Sequence, residues 1–393
     1  MKKNIFEPLK IGPITIRNRT IRSAGFEGMC PEGIPSQSLI DYHSAVARGG
    51  IGMTTVAYAS VNNQGRTFSH QAYMSPEVIA PFKKLTDAVH KEGASVSIQL
   101  GHGGNMGDVK VCGQRPVAPS AKINLFGLTI PRAMNLDDIK NLIEDHKTSV
   151  LQAKESGFDA VEIHAGHGYL ISQFISKRTN KRKDLYGGSL ENRTRLLKEI
   201  LETVREAAGK DMAVIVKMNL EDGFKGGQTL EDAKFIAQLC ESSGVDAIEP
   251  SAGFVSKTPF YMMRGRTPHK RLISYQSDIL IKLSMVFFSR LMLKDYKYEP
   301  NFLLEQTKEI INSVKIPVIS VGGILSQKDM QRALDEGCEA LAIARALVAE
   351  TDFINKTKND SDYISPCKEC GPCNDCVATM YMGEMRCTYL EEK

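Results

Sequence analysis

Short apolar or β-branched runs at 20–23, 51–57, 94–100, 159–163, 213–218, 245–249, 316–321 and 340–344 alternate with longer stretches along the chain. In those longer stretches, among them 76–92, 136–156, 190–208, 230–243, 301–314 and 327–336, apolar residues recur every three or four positions. The runs have the signature of buried strands, the stretches that of helices with one buried face. Ser189 with Asn192 three residues on, and Ser326 with Asp329, mark helix starts, because a hydroxyl at that position accepts an otherwise unpaired amide. Gly93, Gly157, Gly244 and Gly337 each stand between a helix and the next strand, where a left-handed residue ends a helix. Eight such strands predict an α/β chain folded as a (β/α)8 TIM barrel. A doubly wound sheet would want Gly-x-Gly-x-x-Gly after its first strand, and none is there. Two stretches break the rhythm. An insertion at 253–300 follows the sixth strand, and 352–393 trails the barrel, so the expected organisation is a barrel of 1–351 carrying the insertion and a cysteine-rich extension.

Composition narrows the class. Of 393 residues, 42% are hydrophobic and 24% charged, which excludes a disordered, collagenous or coiled-coil chain. No run of 18 apolar residues occurs, and the first residues meet Glu7 and Pro8 before an apolar leader could form; a cytoplasmic protein with no membrane span is expected. A net charge of +4 is too small to point to nucleic acid. Its placement is uneven: residues 257–297 hold nine Lys/Arg and two Asp/Glu, a local +7 that leaves the remainder near −3. That is either a solvated basic surface or a place for an anionic ligand or partner. The insertion that carries it would cover the pocket or make an oligomer contact; a homo-oligomer is expected.

In a barrel the chemistry lies at the C-terminal strand ends. The fourth strand ends in His164-Ala-Gly-His167-Gly-Tyr169, two imidazoles and a phenol suited to holding a carbonyl oxygen and delivering a proton beside it. A zinc site on His164 and His167 lacks an evident third and fourth ligand. Gln99 ends the third strand and can match a ring presenting N–H beside C=O. Lys217 stands inside an apolar fifth strand, where an unpaired cation is untenable. Gly322-Gly323 after the seventh strand and Ala344-Arg345 after the eighth occupy the usual phosphate position of such barrels. A ligand with a phosphate and a planar, amide-like ring is called for, and FMN fits.

At these residues the chain resembles the Old Yellow Enzyme family of FMN-dependent NAD(P)H oxidoreductases. The resemblance rests on Phe6-Glu-Pro-Leu-Lys-Ile-Gly with Ile16-Arg-Asn-Arg19, on Gln99-Leu-Gly-His-Gly-Gly, on His164-x-x-His167-Gly-Tyr169-Leu, and above all on the long run from Asn180 to Arg193, and it spans about 1–350. It implies an ene reductase acting on an α,β-unsaturated carbonyl compound, with NAD(P)H as reductant in the same pocket. Gln99 would meet the pyrimidine edge of the flavin and Lys217, where the family usually has Arg, its N1/C2 carbonyl; Gly322, Gly323, Ala344 and Arg345 would hold the phosphate. Ser23, Ala24, Gly25 and Tyr58 complete the implied cofactor-binding set. His164 and His167 would grip the carbonyl oxygen, and Tyr169 would protonate the α carbon. Two departures stand out: Lys217 lacks the planar fork of Arg, and Ser23-Ala-Gly-Phe26 replaces the family's Pro-Met-Thr/Cys. If Phe26 takes the Thr/Cys position, a side-chain hydrogen bond to flavin O4 is missing.

Five of nine cysteines crowd into the tail: Cys367, Cys370, Cys373, Cys376 and Cys387. The set Cys370, Cys373, Cys376 and Cys387 resembles the [4Fe–4S] motif of the 2,4-dienoyl-CoA reductase branch, one residue short between its second and third cysteines. A [4Fe–4S] cluster, a structural zinc, reduced packing thiols and a redox disulfide all remain open. The cluster reading implies an alternative function, electron transfer through the tail to a partner.

Overall fold

The computed structural model describes residues 3–124, 129–275, 279–368, 374–380 and 383–391. All eight expected strands form: β1 (Thr20–Arg22), β2 (Met53–Ser60), β3 (Ser95–Gly101), β4 (Ala160–Ala165), β5 (Ala213–Asn219), β6 (Ala247–Ser251), β7 (Ile319–Val321) and β8 (Ala340–Ile343). They are parallel, in the order β6-β5-β4-β3-β2-β1-β8-β7. The ring closes between its ends through a parallel bridge of Ile248 and Val318, with Ile248 N donating to Pro317 O at 3.0 Å. Outside it lie α1 (Gln37–Arg48), α2 (Pro76–Lys91), α3 (Leu136–Glu155), α4 (Leu190–Ala208), α5 (Leu230–Ser242), α6 (Leu304–Ile311), α7 (Gln327–Asp335) and α8 (Phe353–Asn359). The expected caps are present: Ser189 and Ser326 accept from Asn192 and Asp329 amides. The four helix-ending glycines have φ between +76° and +105°. Among the described residues no helix is long and apolar enough to cross a membrane.

The strands are layered by residue parity. In β5, Val214, Val216 and Met218 pack outward against the helices, while Ala213, Ile215, Lys217 and Asn219 climb the inside from floor to rim. β4 repeats this with Ala160, Glu162 and His164, and β6 with Ala247, Glu249 and Ser251. The floor is apolar because an N-terminal hairpin, Leu9–Ile11 paired antiparallel with Ile14–Ile16, plugs it. Its Ile11 and Ile16 join the cluster of Ala160, Ala213, Ala247 and Ala340, small residues that leave room for the plug. The charged groups Glu162, Lys217 and Glu249 stand above this floor, while Ser97 and Thr55 pair their hydroxyls at 2.8 Å lower down.

The insertion contains helices His269–Tyr275 and Ile279–Met292 and closes on itself through Gly265 N to Tyr296 O at 2.7 Å. Arg264 lies over the rings of Tyr261, Tyr296 and Phe302. Arg266, His269, Lys270, Arg271 and Lys294 line a cavity of about 1150 Å³ there, with Asp295 and Asp375. Four of the nine cations of 257–297 therefore surround this cavity. The tail folds back over the β1 and β2 loops: His70 Nε2 lies 2.8 Å from Met380 O, and Met385 N donates to Glu27 O at 2.8 Å. Helix α8, within the span read as trailing the barrel, packs as its eighth outer helix, with Phe353 and Ile354 buried.

Candidate active site

Inside the upper barrel, β1, β3, β4, β5 and β6 each contribute one polar side chain to a single cluster. Lys217 Nζ lies 3.2 Å from Glu162 Oε1, 3.0 Å from Glu249 Oε1 and 3.2 Å from Ser23 Oγ. Ser23 Oγ donates to Glu249 Oε1 at 2.7 Å, and Gln99 Nε2 to Glu162 Oε1 at 2.6 Å. Burial alone would depress the Lys217 ammonium, but the two carboxylates outweigh it and hold it above its ordinary value. Burial pushes the Glu162 carboxyl up to about 7 against the pull of Lys217, with Glu249 adding repulsion. One ammonium thus faces two carboxylates. Glu249 Oε2 is buried and has no hydrogen-bond partner among the described residues, so a planar ligand presenting a ring N–H beside its carbonyls suits this cluster.

At the rim above, His164 Nδ1 accepts from Gly166 N at 3.3 Å, which places the ring proton on Nε2, a donor for a ligand oxygen. His167 has φ +56°, a left-handed conformation imposed from both sides: Asn219 Oδ1 accepts from its N–H at 2.9 Å and its carbonyl accepts from Val255 N at 2.8 Å. Its Nε2 lies 2.7 Å from Ser251 Oγ. Burial, then the charge of Lys217, holds His167 down at about 3; burial, His167 and Lys217 hold His164 well below its usual range. Both rings are therefore neutral hydrogen-bonding groups at physiological pH. Tyr169 caps the short helix Leu170–Ile175, and its ring centroid lies 4.7 Å from that of His164 and 5.0 Å from that of Tyr58. Phe26, the residue in question for a hydroxyl or thiol, stacks on Phe68 at 5.1 Å and on His70 at 5.7 Å.

At the far side, Gly322 and Gly323 have φ of +103° and +77°. Phe302 packs where a Cβ on either would project, so both the backbone and the packing demand glycine. Ala344 caps Arg345–Ala349, whose first amides have no intrahelical acceptor, as an anion site needs. The Arg345 guanidinium points elsewhere. It donates to Arg264 O at 3.1 Å, to Asn374 Oδ1 at 2.9 Å and to Met263 O, joining insertion to tail. Ala24 and Gly25 lie on the β1 loop, which Arg22 holds through Gly25 O at 2.9 Å.

Thus Ser23, Gln99, Lys217, Tyr58, His164, His167 and Tyr169 converge as their positions imply. Sequence reasoning missed Glu162, Glu249, Asn219 and Ser251. The signal was available: Glu162 and Glu249 interrupt apolar strands as Lys217 does, at inward-facing positions. In the tail, Cys367, Cys376 and Cys387 line one small cavity with Arg345 and Val348, and burial pushes the Cys376 thiol up to about 11. Cys370 and Cys373 lie outside the described residues. Among the described residues no three ligating side chains stand close enough to hold a metal.

This architecture is that of a barrel oxidoreductase working with a planar, phosphate-bearing cofactor. The family model described as "NADH:flavin oxidoreductase / NADH oxidase family" matches residues 4–258, and the chain belongs to that family, the Old Yellow Enzyme family. It is a flavin-dependent NAD(P)H oxidoreductase. A second model, for dihydrouridine synthase, matches residues 292–385. The chain is 36% identical to a 4,4'-dithiodibutanoate disulfide reductase of Rhodococcus erythropolis over 97% of this chain and 94% of that one. It is 32% identical to an NADH oxidase of Thermoanaerobacter brockii over 94% of this chain, spanning 53% of the relative. A 2-naphthoyl-CoA reductase in complex with 2-naphthoyl-CoA superposes with a TM-score of 0.83 at 25% identity, covering 98% of this chain and 56% of that one.

Proposed function

We propose that the enzyme reduces the activated C=C of an α,β-unsaturated carbonyl compound, with Tyr169 as proton donor. The observation that carries this reading is the meeting of two neutral imidazoles and a phenol above the Lys217 cluster. FMN, when bound, would supply hydride from N5 after taking it from NAD(P)H in the same pocket. Gln99, Ser23 and the Lys217–Glu162–Glu249 cluster would hold its ring, with Ala24, Gly25 and Tyr58 beside it, and the turn at Gly322-Gly323 with the amides of Ala344 and Arg345 its phosphate. His164 Nε2–H donates to the carbonyl oxygen, drawing electron density from the β carbon. His167, held in its strained turn by Asn219, closes the other side. Tyr169 then delivers its proton to the α carbon.

Because both histidines are already neutral, the affinity of a carbonyl-mimicking phenol is expected to show no inflection from histidine titration between pH 5 and 8. The charge-transfer band of the flavin–phenol complex measures this; a titration centred near the ordinary histidine value of about 6.5 would refute neutral clamping.

The full-length relative's name makes a disulfide the competing acceptor, and the same phenol could protonate a leaving thiolate. Anaerobic mixing of the reduced enzyme with enones, dienoyl thioesters, quinones and 4,4'-dithiodibutanoate decides between them. Enones and thioesters are expected to reoxidise it fastest; reoxidation by the disulfide alone would sink the ene-reductase reading. The tail supports a second proposal, a thiolate-bound iron–sulfur cluster in electron transfer or else a purely structural zinc, on one observation: Cys376 and Cys387 line the same cavity as Cys367, and Cys370 and Cys373 fall between Cys367 and Cys376 in sequence. Iron, zinc and acid-labile sulfide analysis of the purified protein tests it.

A further inference from the structure

Four cations from three different loops gather at one side of the barrel mouth: Lys122 after β3, Arg178 and Lys181 after β4, and Lys257 after β6. Two hydrogen bonds, each between a side chain and the backbone, tie the β3 and β4 loops together. Lys122 Nζ donates to Arg178 O at 3.5 Å, and Lys181 N to Ser120 Oγ at 2.9 Å. Lys257 sits in a tight turn, its N–H on Phe254 O at 2.8 Å, and Val255 of that turn donates to His167 O. The group is thus anchored to the residue that closes the proposed carbonyl clamp.

All four side chains are exposed, and among the described residues none pairs with a carboxylate. The nearest acid in sequence, Asp184, is committed to Arg182 at 2.5 Å. Asp222, behind the β6 loop, is buried and accepts from Asn219 and Gln228 N. Burial and the neighbouring Lys181, Arg178 and Lys257 hold the Lys122 ammonium below the usual lysine range; burial and Arg178 do the same to Lys257. Like charges at a rim, with no acid paired to them among the described residues, concentrate anions at the entrance.

We infer that Lys122, Arg178, Lys181 and Lys257 form a dock for an anionic tail, carboxylate or phosphate, of the ligand whose reacting end lies at His164 and His167. The inference rests on the proposed function and narrows its substrate to compounds bearing an anion away from the reacting group. The same chemistry could come from the acceptor or from a phosphate of the nicotinamide reductant, and the test separates the two.

The FMN-loaded protein is titrated with 4-propylphenol and with 4-(4-hydroxyphenyl)butanoate, which differ in the charge of the tail, following the charge-transfer band. The anionic phenol is expected to bind about tenfold more tightly at low ionic strength, with the advantage shrinking as salt rises. Arg178→Glu with Lys257→Glu should abolish that advantage and leave the neutral phenol and the flavin content unchanged. In a parallel arm, NADPH and NADH affinities are compared in the same variant. A selective loss for NADPH with the phenols unaffected assigns the dock to the reductant's phosphate. No change in either arm overturns it. If neither phenol binds the wild-type protein, the histidine clamp fails instead, and the nucleotide arm alone judges the dock.

Discussion

Lys217→Met is expected to destabilise the apoprotein by about 3–5 kcal/mol, because it removes the ammonium that the buried Glu162 and Glu249 both face. Glu162, Lys217 and Glu249 are each at most 2% exposed, so water cannot replace the lost partner. Burial already raises Glu162, and without the ammonium it would stay protonated to higher pH still. The unfolded chain holds this carboxyl near its ordinary value, so the stability contributed by its folded-state proton is full below that value and lost as pH rises through about 7. The deficit of the variant should therefore grow from pH 5 to pH 8. Denaturant titration of the FMN-free protein across that range measures it. Adding Glu249→Gln should recover part of the loss, and Lys217→Arg, which keeps the charge, should cost much less. Equal stability of Lys217→Met and the wild type would mean that the cluster is not an ion pair in solution.

Tyr169→Phe is expected to slow reoxidation of the reduced enzyme by an enone about 10²–10⁴-fold, the usual weight of a positioned general acid. Reduction by NAD(P)H needs no proton from this phenol and should remain nearly intact. The substitution is structurally mild. The backbone of Tyr169 is fixed by its N–H on Gly166 O at 3.2 Å, and the ring keeps its contacts with Tyr58 and His164. Rapid mixing of each half-reaction separates the effects. Equal losses in both halves would remove Tyr169 from the proton-donor role.

Much of this was legible in the chain. The eight strands and the helices between them follow from hydrophobic periodicity, because a barrel strand buried on both faces can hardly read otherwise. The site is less fully legible: Lys217 is conspicuous as a cation among valines, while Glu162 on β4 and Glu249 on β6 are missed, each a single acid in an apolar strand. Their meaning depends on strand register, which sets His164 beside Lys217 and Glu249 beside Lys217 on neighbouring strands. Helix α1 buries His43, whose Nδ1 lies 2.7 Å from Thr54 Oγ1, a contact with β2 that only the fold supplies.

The amino-acid sequence by itself determined the barrel, the residues at its strand ends and the family, since these rest on local periodicity and on motifs a few residues long. Tertiary structure alone decided how the charges pair. It gave Lys217 two carboxylates, turned the Arg345 guanidinium toward the insertion and the tail, and set Arg266, Lys270, Arg271 and Lys294 around one cavity while Lys257 joined the cations at the mouth. Electrostatic pairing acts over a few ångströms of space and is indifferent to separation along the chain, so residues more than fifty positions apart, such as Glu162 and Lys217, become partners only once the ring has closed.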